Sequence, residues 1–102
     1  MDKRKPTYRL EEIRQLAEQG LCRLTMTAQR TADSLGFSQT EVQHIISQLD
    51  SRDFYKSVNE YQNPRVWQDV YKKTVCDINL YIKLKVIDDG NHLIFILSFK
   101  EE

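Results

Sequence analysis

Apolar side chains recur every three to four residues through the first half of the chain and every second residue through the rest. That change of period marks helices giving way to strands. Leu10, Ile13, Leu16 and Ala17 share one face of a helix predicted over Arg9–Gln19, with Thr7 placed to cap its start and Gly20 to end it. Leu21–Leu24 reads as a short strand or a linker. Thr25 or Thr27 then opens a second helical pattern carrying Ala28, Ala32 and Leu35, which Gly36 closes. Ser38-Gln39-Thr40-Glu41 has the form of a capping box, in which Ser and Glu satisfy each other's first-turn amides. Val42, Ile45, Ile46 and Leu49 follow at i, i+3, i+4 and i+7, so a third helix is predicted over Gln39–Leu49.

From Asp53 onward β-formers dominate, and strands are predicted over Phe54–Tyr61, Arg65–Lys73, Asp77–Ile87 and Leu93–Phe99. Gln62-Asn63-Pro64, Thr74-Val75-Cys76 and Asp88-Asp89-Gly90-Asn91-His92 separate them. Helices followed by strands imply an α+β fold, with three N-terminal helices packed on one face of a mainly antiparallel sheet. In Asp77–Ile87 the even positions Ile78, Leu80, Ile82, Leu84 and Val86 are apolar, while the odd ones include Asn79, Tyr81, Lys83 and Lys85. A two-residue Asp-Gly or Gly-Asn turn would set that apolar row beside Leu93, Phe95, Leu97 and Phe99. Tyr81 then faces Ser98 or Lys100 across the hairpin, and in either case shares a face with Lys100, away from the core.

Composition narrows the picture. The chain has 102 residues, 40% of them hydrophobic, and its 15 Lys+Arg balance 15 Asp+Glu. That is enough for one core, so a single domain over residues 1–102 is expected. No segment approaches the roughly 18 apolar residues of a membrane span. Met1–Pro6 carries charge with no apolar stretch behind it, so a cytoplasmic location is expected. Cys22 and Cys76 are too few for a disulfide framework and read as buried small hydrophobes. With His44 and His92 widely spaced, no metal site and no cofactor are expected. Zero net charge means that any nucleic-acid binding must come from a local basic patch.

Two constellations invite a functional reading. The second and third helices have the spacing of a helix-turn-helix, which would make the chain a non-catalytic DNA-binding or regulatory module. Against this, Gln39 to Leu49 contains no Lys or Arg, whereas phosphate contact and guanine readout need cations. The other constellation is the polar sheet face with Tyr81, Lys83, Lys85 and Lys100, which Lys56 and Gln68 can join from the other two strands. Alternating lysines on a strand ordinarily mean a solvated face. No Gly-x-Ser-x-Gly and no phosphate-cradling Gly-rich loop occurs.

At Asp53-Phe54-Tyr55-Lys56-Ser57, Trp67-Gln68-Asp69-Val70-Tyr71, Tyr81-Ile82-Lys83 and Ser98-Phe99-Lys100-Glu101, the chain resembles the bacterial MqsR family of motility quorum-sensing regulator toxins. Lys3-Arg4-x-Pro6-x-x-Arg9-Leu10 extends the resemblance nearly end to end. The resemblance implies a fold like the RelE and YoeB toxins and an mRNA endoribonuclease that cuts at GCU-type triplets without a ribosome. It also implies neutralisation by a zinc-binding antitoxin, MqsA, with DNA contacted only through that complex. The family's functional lysine in the Phe-Tyr-Lys-Ser block falls on Lys56, and its glutamine after the tryptophan falls on Gln68. Its tyrosine falls on Tyr81, and its lysine in Ser-Phe-Lys falls on Lys100, displaced by a longer Asp88–His92 turn. RNA supplies its own nucleophile, the 2′-hydroxyl, so such residues need only move protons and steady the phosphate. On this reading Lys56 and Lys100 stabilise phosphate charge, one of them being a candidate base, Tyr81 donates a proton or stacks on a base, and Gln68 orients phosphate or base.

Overall fold

The computed structural model describes residues 2–102. Its order is β1 (Asp2–Lys3), α1 (Leu10–Glu18), β2 (Cys22–Leu24), α2 (Met26–Ser34), α3 (Gln39–Ser47), a 3₁₀ turn (Ser51–Asp53), β3 (Phe54–Asn59), β4 (Trp67–Val75), β5 (Ile78–Asp88) and β6 (His92–Glu101). This is the α+β arrangement expected from the sequence, with the helices N-terminal. The strands form one six-stranded sheet in the order β1-β3-β4-β5-β6-β2, antiparallel except where β2 runs parallel to β6. Ile13, Val42 and Ile46 from the helices meet Leu80, Ile82 and Leu84 of β5 in a core without solvent exposure. No helix among the described residues is long and apolar enough to cross a membrane.

Local chemistry explains the helix starts. Thr25, not Thr27, caps α2, its Oγ1 accepting from the Ala28 amide at 3.2 Å. The capping box of α3 is complete: the Glu41 amide donates to Ser38 Oγ at 3.1 Å, and the Ser38 amide to Glu41 Oε1 at 2.9 Å. The helix stops at Ser47, short of the predicted Leu49. Thr7 does not cap α1. Its Oγ1 pairs with Ser57 Oγ at 2.9 Å instead, and Arg9 occupies the N-cap without a side-chain bond; the Thr7 and Tyr8 amides donate to the buried Asp69 carboxylate. Gly20 ends α1 at φ +74°, a conformation that costs glycine little.

Strand limits shift where turns intervene. β3 ends at Asn59 because the loop to β4 is tied by Glu60 N–H to Val66 O and Val66 N–H to Asn63 O, both 2.9 Å. At the other end of β4, the expected separator Thr74-Val75-Cys76 is mostly strand. Val75 pairs with Ile78 around a two-residue turn in which Cys76 and Asp77 both have positive φ, 51° and 64°. That turn leaves Cys76 exposed, contrary to the expectation of two buried thiols; Cys22 is buried.

The last hairpin departs from the expected two-residue turn. Asp88 pairs with His92 around three residues, Asp89-Gly90-Asn91, with Gly90 at φ +108°. The near half therefore pairs Val86 with Ile94 and Leu84 with Ile96. A bulge at Leu97 absorbs one residue, after which Ile82 faces Phe99 and Tyr81 faces Lys100. The β6 residues in the core are thus Ile94, Ile96 and Phe99, while Leu93, Phe95 and Leu97 are only half-buried on the other face.

Candidate active site

The sheet face away from the helices carries side chains in cross-strand rows. One row runs from Lys72 through Tyr81 to Lys100, each directly opposite the next on β4, β5 and β6. The adjacent row runs from Lys56 through Val70 and Lys83 to Ser98. Val70 lies fully buried beneath these longer side chains. On β3 the pairing shifts between Phe54 and Lys56, so Tyr55 is the bulged residue and joins the first row's end.

Tyr55, Lys56, Lys72, Tyr81 and Lys100 line one open cleft of about 470 Å³ with Glu101 and Glu102 at its edge. Lysines and rings alternate around it. Lys72 Nζ sits 3.8 Å from the Tyr55 ring centre, Lys56 Nζ 5.3 Å from the same ring, and Lys100 Nζ 5.1 Å from the Tyr81 ring centre. Lys56 pairs with Asp2 at 3.2 Å, and Lys72 pairs with Glu102. The hydrogen bond to Glu102 raises the Lys72 pKa above the ordinary lysine value, which keeps that side chain cationic. Lys100 has no anionic partner among the described residues. The arrangement can surround a phosphate with cations and place a phenol beside it.

Three of the four residues singled out in the sequence, Lys56, Tyr81 and Lys100, therefore meet in one cleft. Gln68 does not line it. It lines a neighbouring cavity of about 500 Å³ with Glu60, Tyr61 and Lys83. Gln68 Nε2 donates to Glu60 Oε2 at 2.9 Å, and Lys85 Nζ pairs with the same oxygen at 2.6 Å. These two donors, Lys85 foremost, hold the Glu60 carboxyl below the usual range. Lys72 and Tyr55 were not anticipated. Lys72 has the same parity as Gln68 along β4, so the alternation that placed Gln68 on this face could have found it; Tyr55 arrives through a bulge, which alternation cannot foresee.

The helix-turn-helix alternative finds no support in α3. Val42, Ile45 and Ile46 turn into the core, and the helix has no Lys or Arg to meet phosphate. Comparison with known proteins agrees. A family model described as motility quorum-sensing regulator, toxin of MqsA, matches residues 5–101. The mRNA interferase toxin MqsR of Escherichia coli (strain K12) is 37% identical over 102 residues, covering 100% of each chain. The likeness takes in β3 to β6, the strands that build both clefts, and the chain belongs to the MqsR toxin family.

Proposed function

We propose that this chain, an mRNA interferase and hence an endoribonuclease by its family, is the toxin of a toxin–antitoxin pair and cuts cytoplasmic mRNA at GCU-type triplets through the RNA's own 2′-hydroxyl. The reaction needs neither a metal ion nor the ribosome. The observation that carries this reading is the lysine-lined cleft around Tyr81, with Lys72 and Lys100 directly opposite it on either side and Lys56 beside them. Lys56 and Lys100 hold the non-bridging phosphate oxygens as charge builds toward the pentavalent state. Lys72, kept cationic by Glu102, adds to that charge and is unsuited to act as a base. The 2′-oxygen bonds to phosphorus while the bond to the 5′-oxygen breaks; one of Lys56 and Lys100, entering as the neutral amine, takes the 2′-hydroxyl proton and becomes the second cation on the phosphate, and the Tyr81 phenol gives a proton to the leaving oxygen. Gln68 acts one row away, on the base or flanking phosphate. The products are a 2′,3′-cyclic phosphate and a 5′-hydroxyl. The partner is a zinc-binding antitoxin of the MqsA type, and DNA is reached only through that complex.

The test is incubation of purified protein with defined RNA, with and without EDTA, followed by analysis of both new ends. Cleavage that persists in EDTA and leaves cyclic-phosphate and 5′-hydroxyl ends is expected, and a 2′-deoxy sugar at the cut should block it. Lys56→Ala and Lys100→Ala should each abolish cutting while the protein stays folded. Loss of activity in EDTA, 5′-phosphate ends, or growth arrest by either variant at matched expression would overturn the mechanism.

A further inference from the structure

The cavity beside the cleavage cleft holds chemistry that the phosphate-centred mechanism does not use. Lys83 is half-buried between Val70 and Ser98 and makes no ion pair or hydrogen bond with any described residue. Three neighbours on this face differ, Lys56 being paired with Asp2, Lys72 with Glu102 and Lys85 with Glu60, while Lys100, in the cleavage cleft, likewise lacks an anionic partner among the described residues. An unpaired, half-buried ammonium presents up to three N–H donors and no acceptor to whatever enters.

Gln68, lining the same cavity, has its amide orientation decided by Glu60. A carboxylate only accepts, and the Glu60 carboxyl is kept ionised by Lys85, so the NH₂ end of Gln68 must face it. The free end is Oε1, an acceptor. In the register that sets Val70 opposite Lys83 and Asp69 opposite Leu84, Gln68 and Lys83 are diagonal neighbours, about 7–8 Å apart at their bases. One donor group and one acceptor thus stand side by side. The loop of β3 and β4 adds Tyr61, 98% exposed, on backbone braced by Glu60 N–H to Val66 O and by Asn59 Nδ2 to Pro64 O at 2.8 Å.

We propose that this cavity is a base-recognition subsite for an unpaired RNA nucleotide flanking the scissile phosphate, and that it reads a keto–imino edge. Lys83 donates to O6 of guanine or O4 of uracil, Gln68 Oε1 accepts from the adjacent N1–H or N3–H, and Tyr61 stacks on the base face. Adenine and cytosine are rejected on both counts: their amino group meets the ammonium donor against donor, and their ring nitrogen carries no proton for Gln68. Lys83 follows Tyr81 on the same face of β5, about 7 Å along the strand, so the subsite abuts the cleavage cleft. An acidic peptide fits less well, since Glu60 repels it and Gln68 Oε1 stays unmatched. The subsite rests on the reading of the chain as an RNA-cutting enzyme and names what that reading left open, the side chains that choose the base.

The experiment measures binding apart from cutting. Short RNAs blocked at the cut by a single 2′-O-methyl group, and differing only in one flanking base, are titrated against the full chain by fluorescence anisotropy. At one flanking position the parent should favour G or U over A or C about tenfold. Lys83→Met should lose that preference and bind the keto bases about tenfold more weakly; Tyr61→Ser should weaken all four alike by about tenfold, with Tyr61→Phe like the parent. Thermal melts confirm that each variant folds. A parent without keto preference at either position, a Lys83→Met variant that keeps it, or a Tyr61→Ser variant with parental affinity overturns the subsite. Cleavage of unblocked RNA is scored separately: cutting without a Lys83-dependent preference discards the subsite alone, the preference without cutting discards the catalytic reading alone, and neither discards both.

Discussion

Asp69 is the residue whose loss should tell most about how the fold supports the site. It has no exposed surface, yet it carries a carboxylate on the core side of β4, opposite Ser57 and Leu84. Its oxygens accept from Thr7 N–H at 3.1 and 3.0 Å and from Tyr8 N–H at 2.9 Å. Hydrogen bonds to a charged group contribute about 1.5–3 kcal/mol each, so two donors give roughly 3–6 kcal/mol. Both amides are only partly buried, and water entering the space left by Asp69→Ala recovers part of this, leaving a loss of about 2–3 kcal/mol. For a domain of this size each kcal/mol moves Tm by about 4–8 °C, so a drop of roughly 10–20 °C is expected by circular dichroism at neutral pH. Asp69→Asn, which keeps the volume but turns an NH₂ toward one of the amides, should lose less. The segment released bears Asp2, the partner of Lys56, so amide exchange at Thr7 and Tyr8 should quicken as Lys56 loses its ion pair. A fall of less than about 4 °C for Asp69→Ala would refute the view that this carboxylate anchors the N-terminal segment.

The other tests are simpler. The Tyr71 hydroxyl is buried with no hydrogen-bond partner among the described residues, and burial raises its pKa, so Tyr71→Phe should stabilise by about 1 kcal/mol; a lower melting temperature would reveal a partner. His92 lies 3.1 Å from both Glu12 and Asp88, and the hydrogen bond to Glu12, then the charge of Asp88, raises its pKa above the ordinary 6.5. Folding therefore favours the imidazolium, and the stabilisation is complete below the unfolded value and fades as pH rises through the raised one. His92→Gln should accordingly melt below the parent at about pH 5.5, with the gap closing by about pH 9; a constant gap would refute it. Arginine at Lys56 should restore cutting poorly, because a planar fork replaces a compact ammonium that can also accept a proton once neutral, and full activity in single-turnover assays would remove that lysine as the base.

What the sequence disclosed follows the range of the forces involved. The α3 capping box lies within four residues, and the alternation of Asp77–Ile87 reports the core-facing and the open face of a single strand; both survive in the structure. Leu93, Phe95 and Leu97, expected beside the core row, give way to Ile94 and Ile96 because every position of Leu93–Leu97 is apolar and nothing in the pattern distinguishes the two sets. A three-residue turn and a bulge at Leu97 shift the register and then restore it, which is why Tyr81 still meets Lys100 although the near half of the hairpin pairs differently. Spacing alone makes Thr7 a cap candidate, whereas its hydroxyl is taken by Ser57 from 50 residues away. Glu60 was one more acid beside a turn; only the fold brings it to Gln68 and Lys85.

The same ion pairs bear on how an antitoxin holds this toxin silent. An acidic segment that plugged the cleft would have to displace Asp2 from Lys56 and Glu102 from Lys72, leaving Lys100 as its one cation without a standing partner in the cleft. Exchanging one carboxylate for another at a partly solvated lysine yields little net free energy. The sheet, by contrast, ends at β2 with Cys22–Leu24 paired only on the β6 side, and at β1 with Asp2–Lys3 paired only to β3. Unpaired strand edges offer main-chain donors and acceptors to an added strand, a mode suited to a folded partner. The antitoxin is therefore expected to bind beside the cleft, and the variant lacking both Lys56 and Lys100 side chains should bind it about as tightly as the parent does. Calorimetry on the two purified proteins decides it. A loss beyond about 3 kcal/mol, the scale of removing one partner of a buried charged contact, would place antitoxin groups on those lysines and put the inhibitory contact inside the cleft.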